Sequence, residues 1–266
     1  MTTQEHSKRV IDLLGTVNFR DLGGYRNTHD QVVQWRRIFR AASLGGLTPE
    51  DQTLLADLQV TKDVDLRSPA EQSGYPDQNW PGVQLVRDPV YPTSGFGRLM
   101  NHGPFARLRF NRHRRPQLQD PVAQIYQNVV LNEHSQQAFA TVFRQLLSLP
   151  EDQALVFHCA AGKDRTGMTA ALILLALEVP EAVIVQDYLL TNDLYNFPDG
   201  AAVSDDEVAT AVAQMNTQTG DALFIQGVVQ TIAQGYGGIA NYWRQGLKLA
   251  PSDLDQLRRQ FLTPTK

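Results

Sequence analysis

The stretch His158-Cys159-Ala160-Ala161-Gly162-Lys163-Asp164-Arg165-Thr166-Gly167 decides how this chain is read. An apolar run, Ala154-Leu155-Val156-Phe157, precedes it and predicts a strand over 154–158. A helix-forming run, Met168 to Leu177, follows it and predicts a helix from Thr166 to about Glu178. The only cysteine in 266 residues therefore lies in a loop between a strand end and a helix N-terminus. Such a terminus leaves backbone N–H groups unpaired and carries partial positive charge. Successive loop amides can form a concave nest for an anion. Gly162 permits the tight curl, and Arg165 offers a planar fork that matches two phosphoryl oxygens. The same field favours a thiolate over a thiol.

From these residues Cys159 is expected to attack phosphorus, giving a phosphocysteine that is hydrolysed in a second step. Ala160, Ala161, Gly162, Lys163, Asp164 and Arg165 are the expected phosphate-binding loop. Thr166 is placed to donate to the sulfur and ease its departure, and His158 to support the loop. Lys163 has two readings, a selector of doubly phosphorylated or phosphoinositide headgroups or a solvated loop lysine. A buried inert cysteine would not need the flanking Gly, Arg and Thr-Gly. A Walker loop fails on spacing, because Ala161-Gly162-Lys163 is followed by Asp164. Arsenate-reductase chemistry would recruit further thiols, and a metal site needs more ligands than His158 and Cys159. No metal and no cofactor are expected.

Composition bounds the rest. Hydrophobic residues make up 42% and charged residues 20%, as in a globular protein, and the net charge of −4 argues against nucleic acid as a partner. A single cysteine excludes an intramolecular disulfide. Met1 to Arg9 is polar, and Ala170 to Leu177 is too short to span a bilayer. The expectation is a cytoplasmic protein without membrane insertion; export without a signal peptide would leave no mark in the sequence.

Outward from the loop, strands are expected at Val32–Trp35, Arg37–Ala41, Thr61–Leu66 and Val83–Val86. Thr48-Pro49-Glu50-Asp51 opens a helix to about Leu58. Helices are expected over 122–131, 135–149, from Pro180, and near 204–215, 221–234, 238–246 and 252–261. Strands interleaved with helices, followed by a helical tail, predict an α/β fold in one domain over 1–266. Its sheet is mainly parallel, flanked by helices, under a helical C-terminal cover. Between 91 and 120 regular patterning dissolves, which reads as a lid or flexible insertion. The basic run Arg98, Arg107, Arg109, Arg112, Arg114, Arg115 falls there, either a solvated loop or a cover for an anionic substrate or membrane surface.

The His-Cys-x-x-Gly-Lys-Asp-Arg-Thr-Gly string resembles the signature of the atypical bacterial tyrosine phosphatases, a lipid-phosphatase-like group that includes secreted mycobacterial enzymes. Asn18-Phe19-Arg20-Asp21-Leu22-Gly23-Gly24-Tyr25, Asp65-Leu66-Arg67-Ser68-Pro69-Ala70-Glu71 and Asp187-Tyr188-Leu189-Leu190-Thr191-Asn192 are similar to other segments of that family, as is the tail from Gly237 to Arg258. The resemblance implies a phosphatase fold, no metal, and phosphotyrosine as substrate, with phosphoserine, phosphothreonine and phosphoinositides as further substrates.

Two residues compete as general acid. The mobile Trp-Pro-Asp tripeptide of conventional tyrosine phosphatases is absent, since Trp80-Pro81 is followed by Gly82. Asp164 is the first candidate because it lies in the loop, a position that the resemblance supports; Asp88, after a predicted strand, is the second. A phosphate-binding module without turnover and a rhodanese-like sulfur transferase are the alternatives to a phosphatase. The first usually lacks the nucleophile or the arginine, and the second usually has a loop one residue shorter.

Overall fold

In the computed structural model, residues 8–92, 116–198, 215 and 217–263 are described. Their order is β1 (Arg20–Asp21), β2 (Val32–Val33), β3 (Ile38–Ala41), α1 (Pro49–Asp57), β4 (Val60–Asp65), α2 (Pro69–Gly74) and β5 (Gln84–Arg87). Then come α3 (Pro121–Leu131), α4 (Glu133–Leu147), β6 (Ala154–His158), α5 (Asp164–Ala176), α6 (Glu181–Leu189) and α7 (Thr191–Leu194). The chain closes with α8 (Ala222–Tyr236), α9 (Ile239–Gln245), α10 (Pro251–Phe261) and β7 (Leu262–Thr263).

The main sheet has the order β1-β3-β6-β4-β5. Its β3, β6, β4 and β5 are parallel, and β1 runs antiparallel to β3 at one edge. A separate ribbon pairs β2 with β7. The expected α/β class with a mainly parallel sheet and a helical cover is what forms. β6 is central and buried at every position. Its side chains alternate between two cores, as the two-residue period of a strand requires. Leu155 and Phe157 enter a large core with Val129, Phe143, Leu172, Ile225 and Trp243. Ala154 and Val156 enter a smaller one with Phe39, Leu55, Val60 and Trp80. Cys159 continues the first set, and His158 falls on the face of the second.

Local signals explain most boundaries. Thr48 accepts from the Asp51 amide, and the Asp51 carboxylate returns to Thr48 N, a capping box with Pro49 in the first turn. Asp51 also takes the amides of Leu14 and Gly15 at 2.8 Å each, tying the N-terminal segment to α1. Helix α2 was not expected; six residues show no period, yet Ser68 and Glu71 form a second capping box. Helix α5 starts two residues before its expected first residue, because Lys163 offers no capping side chain to mark the start. The expected strand 32–35 shortens to Val32–Val33. The expected helix near 204–215 and the basic run fall largely or wholly outside the described residues. Among the described residues no helix is long and apolar enough to cross a membrane.

Candidate active site

The loop after β6 is built from outside inwards. The Ala160 carbonyl accepts from Ser43 N at 3.0 Å, and the Lys163 carbonyl from Gly167 N at 2.7 Å. The Ala161 carbonyl accepts from Asn18 Nδ2 at 3.0 Å, and the Gly162 carbonyl from Arg40 Nη2 at 2.8 Å. In a trans peptide the C=O of one residue and the N–H of the next point opposite ways. With four successive carbonyls held outward, the amides of Ala161, Gly162, Lys163 and Asp164 face the concave side. None of them donates a hydrogen bond to another described residue. Gly162 makes the curl at φ +69°, and a Cβ there would sit 2.5 Å from the Ala41 carbonyl oxygen. The loop thus presses on the end of β3 at the carboxyl ends of the parallel strands, where such sheets bind ligands.

The outer partners are themselves fixed. Asp187 on α6 takes Arg20 Nε at 3.2 Å, Tyr25 OH at 3.0 Å and Arg40 Nη1. Burial opposes its charge, but Arg20 and Arg40 outweigh that and hold the carboxyl well below its usual range. Asp187 thus acts one step behind the loop, by orienting the arginine that holds Gly162. In the Asn18–Tyr25 segment, Asn18 holds the loop directly and Arg20 reaches it through Asp187.

Arg165 is 1% exposed and meets Glu71 end-on. Glu71 is oriented by Ser68, whose amide and hydroxyl donate to Oε2 at 2.8 and 2.7 Å. Burial works against the charged carboxylate, but Arg165 overrides it and lowers the Glu71 pKa to about 2. The end-on pairing leaves the Arg165 Nε edge with no hydrogen bond to a described residue, so a side-on fork remains for two oxygens. The Tyr91 ring lies 5.1 Å from the Arg165 guanidinium carbon, and its hydroxyl is buried without a hydrogen bond among the described residues.

The two candidate acids separate. Asp164 is the first residue of α5, and Tyr126 OH donates to its Oδ1 in a short contact; Tyr188 OH lies 3.0 Å from Tyr126 OH. Asp88 stands at the end of β5, two strands from β6, about 10 Å across the sheet. It lines a groove with Glu133, His134, Arg144 and Lys248 instead. The Lys163 ammonium is neither solvated nor presented outward: it donates to Met215 O at 2.6 Å and to Gln218 O, with 1% of its side chain exposed. Both sequence readings of that side chain give way to a structural tether. The Thr166 hydroxyl, expected to reach the sulfur, is buried without a hydrogen bond among the described residues.

His158 lies on the opposite face of the sheet from Cys159. Its Nε2 lies 3.2 Å from Asp63 Oδ1 and 3.3 Å from Asp77 Oδ2. Burial alone would push the imidazole down, but Asp63 and Asp77 hold it well above its ordinary value. Arg67 ties this layer together, reaching Asp65 and Asp77 through Nη2 at 2.8 Å each and Ser43 Oγ through Nη1 at 2.8 Å. The sequence reasoning did not foresee Tyr91, Tyr126, Tyr188, Asp63 or Asp77. Only Asp63 left a signal: Asp63 and Asp65 alternate with Val64 and Leu66, which puts two carboxylates on one strand face.

Fold and loop together set the thiol of Cys159 beside a curl of amides, unpaired among the described residues, at the carboxyl ends of a mainly parallel sheet. A model described as the tyrosine phosphatase family matches residues 11–263, and the chain belongs to that family. It is 30% identical over 250 residues to a Cupriavidus necator protein provisionally named a tyrosine-protein phosphatase, covering 92% of this chain and 85% of the relative. A Nostoc commune tyrosine-protein phosphatase is 35% identical over 159 residues, 57% of this chain and 47% of that one. The triple specificity protein phosphatase PtpB of Mycobacterium tuberculosis is 29% identical over 205 residues, 69% and 70% of the two chains. Among solved structures, P. aeruginosa TpbA aligns at 15% identity over 77% of this chain and 96% of its own, with a TM-score of 0.33. That likeness carries no argument.

Proposed function

We propose that the chain hydrolyses phosphotyrosine through a phosphocysteine, with phosphoserine, phosphothreonine and phosphoinositides as further substrates. In the first step the Cys159 sulfur forms a bond to phosphorus as the ester P–O bond breaks. Asp164 gives its proton to the leaving oxygen. In the second, water attacks phosphorus, Asp164 takes a proton from it, and the S–P bond breaks to release phosphate. Loop amides of 160–165 and the free edge of Arg165 hold the non-bridging oxygens throughout. The observation that carries this reading is the run of four outward carbonyls, which turns the amides of 161–164 to the concave side of the loop that follows Cys159.

Asp164 supports the acid role better than Asp88, because Asp164 belongs to the loop while Asp88 is two strands away. The wider substrate range rests on the triple specificity for which the mycobacterial relative is named and not on Lys163, whose ammonium is taken by two carbonyls. The test is hydrolysis of para-nitrophenyl phosphate by the wild type and by Cys159→Ser. Turnover is expected to vanish in the variant while phosphate or vanadate binding persists. Persistent turnover would overturn the assignment of the nucleophile. Side-by-side kinetics on phosphotyrosine peptide, phosphoserine peptide and phosphoinositide then rank the substrates. Asp164→Asn is expected to cripple turnover most where the leaving group is poor, and equal loss across leaving groups would point to another acid.

A further inference from the structure

We propose that Asp63, Asp77 and His158 form a divalent-cation site, best matched to zinc, in the layer behind the catalytic loop. The three side chains come from different places in the chain. Asp63 lies on β4 opposite Val156 of β6, two residue pairs before the Asp65–His158 pair and so on the same face of the sheet. Asp77 reaches the same point from the segment between α2 and β5. His158 and Cys159 lie on opposite faces of the strand, so they do not share an ion. The ligands that a metal needs beside His158 come from β4 and from Asp77.

The donor atoms are close and buried, and beyond their contacts with one another they have no hydrogen-bond partner among the described residues. One ligand atom from each residue falls within 4.8 Å of the other two. Side-chain exposure is 1% for Asp63, 1% for Asp77 and 0% for His158. Neither short contact of Nε2 has hydrogen-bond geometry. Asp63 Oδ1, Asp63 Oδ2, Asp77 Oδ2 and His158 Nε2 all lack a hydrogen bond among the described residues. A buried carboxylate with neither oxygen hydrogen-bonded is costly, and metal coordination is one of the few ways to compensate it.

Three further features fit a metal. Tetrahedral zinc with bonds near 2.0–2.1 Å places neighbouring ligand atoms about 3.3 Å apart, and the two separations from Nε2 are 3.2 and 3.3 Å. Imidazole nitrogen with carboxylate oxygens is a zinc donor set. Charge also balances: the Asp63, Asp65 and Asp77 carboxylates face the single Arg67 guanidinium, and a divalent cation beside neutral His158 cancels the remainder. The outer shell is in place as well. Arg67 Nη2 donates to Asp77 Oδ1 at 2.8 Å, which leaves Oδ2 for the cluster. A metal on Nε2 fixes the proton on Nδ1, which lies 3.4 Å from the Cys159 carbonyl oxygen. Without the metal, a proton on His158 occupies the same space, so proton and cation are the two rival occupants.

The site stands independently of the phosphatase reading, and its test avoids the nucleophile. Untagged Cys159→Ser protein is stripped with EDTA, dialysed and titrated with ZnCl2 by calorimetry and thermal shift. Saturable binding of one equivalent with a rise in melting temperature is expected. X-ray absorption should show nitrogen and oxygen ligands with one imidazole. Asp63→Asn and Asp77→Asn, each in the Cys159→Ser background, should weaken binding by at least about tenfold. If Asp63→Asn fails to fold by circular dichroism, Asp77→Asn alone decides. No saturable binding, binding that requires the Cys159 thiol, or unchanged affinity in a folded aspartate variant would each overturn the site.

Discussion

Arg165 and Glu71 meet through two parallel hydrogen bonds, Nη1 to Oε2 at 2.7 Å and Nη2 to Oε1 at 2.8 Å. A guanidinium on a long flexible stem is thereby locked in one orientation before any substrate arrives, with its Nε edge left without a hydrogen bond to a described residue. Glu71→Gln removes the charge and half of the fork. A charge-assisted pair of this kind is worth about 1.5–3 kcal/mol, so kcat/KM should fall by about 10–100-fold, with weaker vanadate inhibition. Steady-state kinetics with a vanadate titration check this; unchanged kinetics in a folded variant would show that Arg165 needs no clamp.

The same pair sets an acid window. Glu71 has a reference pKa of 4.5 and a folded value of about 2, lowered by Arg165 despite burial. Because the folded value is the lower, its stabilisation is complete above about pH 4.5 and disappears as pH falls towards about 2. The shift corresponds to about 3 kcal/mol. Urea unfolding of wild type and Glu71→Gln should therefore differ most near neutral pH and converge in acid. A constant difference between about pH 7 and pH 3 would remove the linkage.

Gly162→Ala combines a left-handed φ of +69° with a Cβ 2.5 Å from backbone oxygen, and backbone cannot step aside cheaply. A loss of at least about 2 kcal/mol is expected, together with a severe loss of phosphate affinity. Differential scanning fluorimetry with and without phosphate reads both; full stability and normal binding would show that the loop tolerates another path.

Asp187→Asn leaves Arg20 and Arg40 buried around a neutral amide. Removing one partner of a buried ion pair typically costs about 3–5 kcal/mol. Activity should drop more than stability predicts at temperatures where the variant is folded, because Arg40 no longer holds the Gly162 carbonyl. Comparing kcat well below the melting temperature with the wild-type value separates these effects.

Tyr126→Phe deletes the donor to Asp164 Oδ1 while keeping the ring packed against Phe224 at 5.6 Å. The variant should lose rate chiefly with poor leaving groups, as expected of a residue that positions the acid. A Brønsted series of aryl phosphates checks the slope; a uniform loss would assign Tyr126 to packing alone.

Much of this architecture was legible because its signals are local. The run 154–158, the loop and the following helix announce themselves within 25 residues, and Thr48-Pro49-Glu50-Asp51 carries its own capping chemistry. Ser68-Pro69-Ala70-Glu71 carries the same cap signal, and reading it would have revealed α2. Other features depend on meetings between distant segments. Tyr126 reaches Asp164 across 38 residues, and Lys163 reaches the carbonyl of Met215 across 52. No pattern in either neighbourhood encodes the partner. Asp88 shows the opposite error, where the residue follows its strand as expected but that strand lies at the sheet edge.

Adjacent residues on β6 answer to different halves of the molecule. A random-mutagenesis screen for lost turnover should therefore recover two populations, one lining the substrate's approach and one, around Asp63 and Arg67, buried on the reverse side of the sheet. Suppressors of the second population would arise on that reverse side too, out of reach of any inhibitor that fills the cleft.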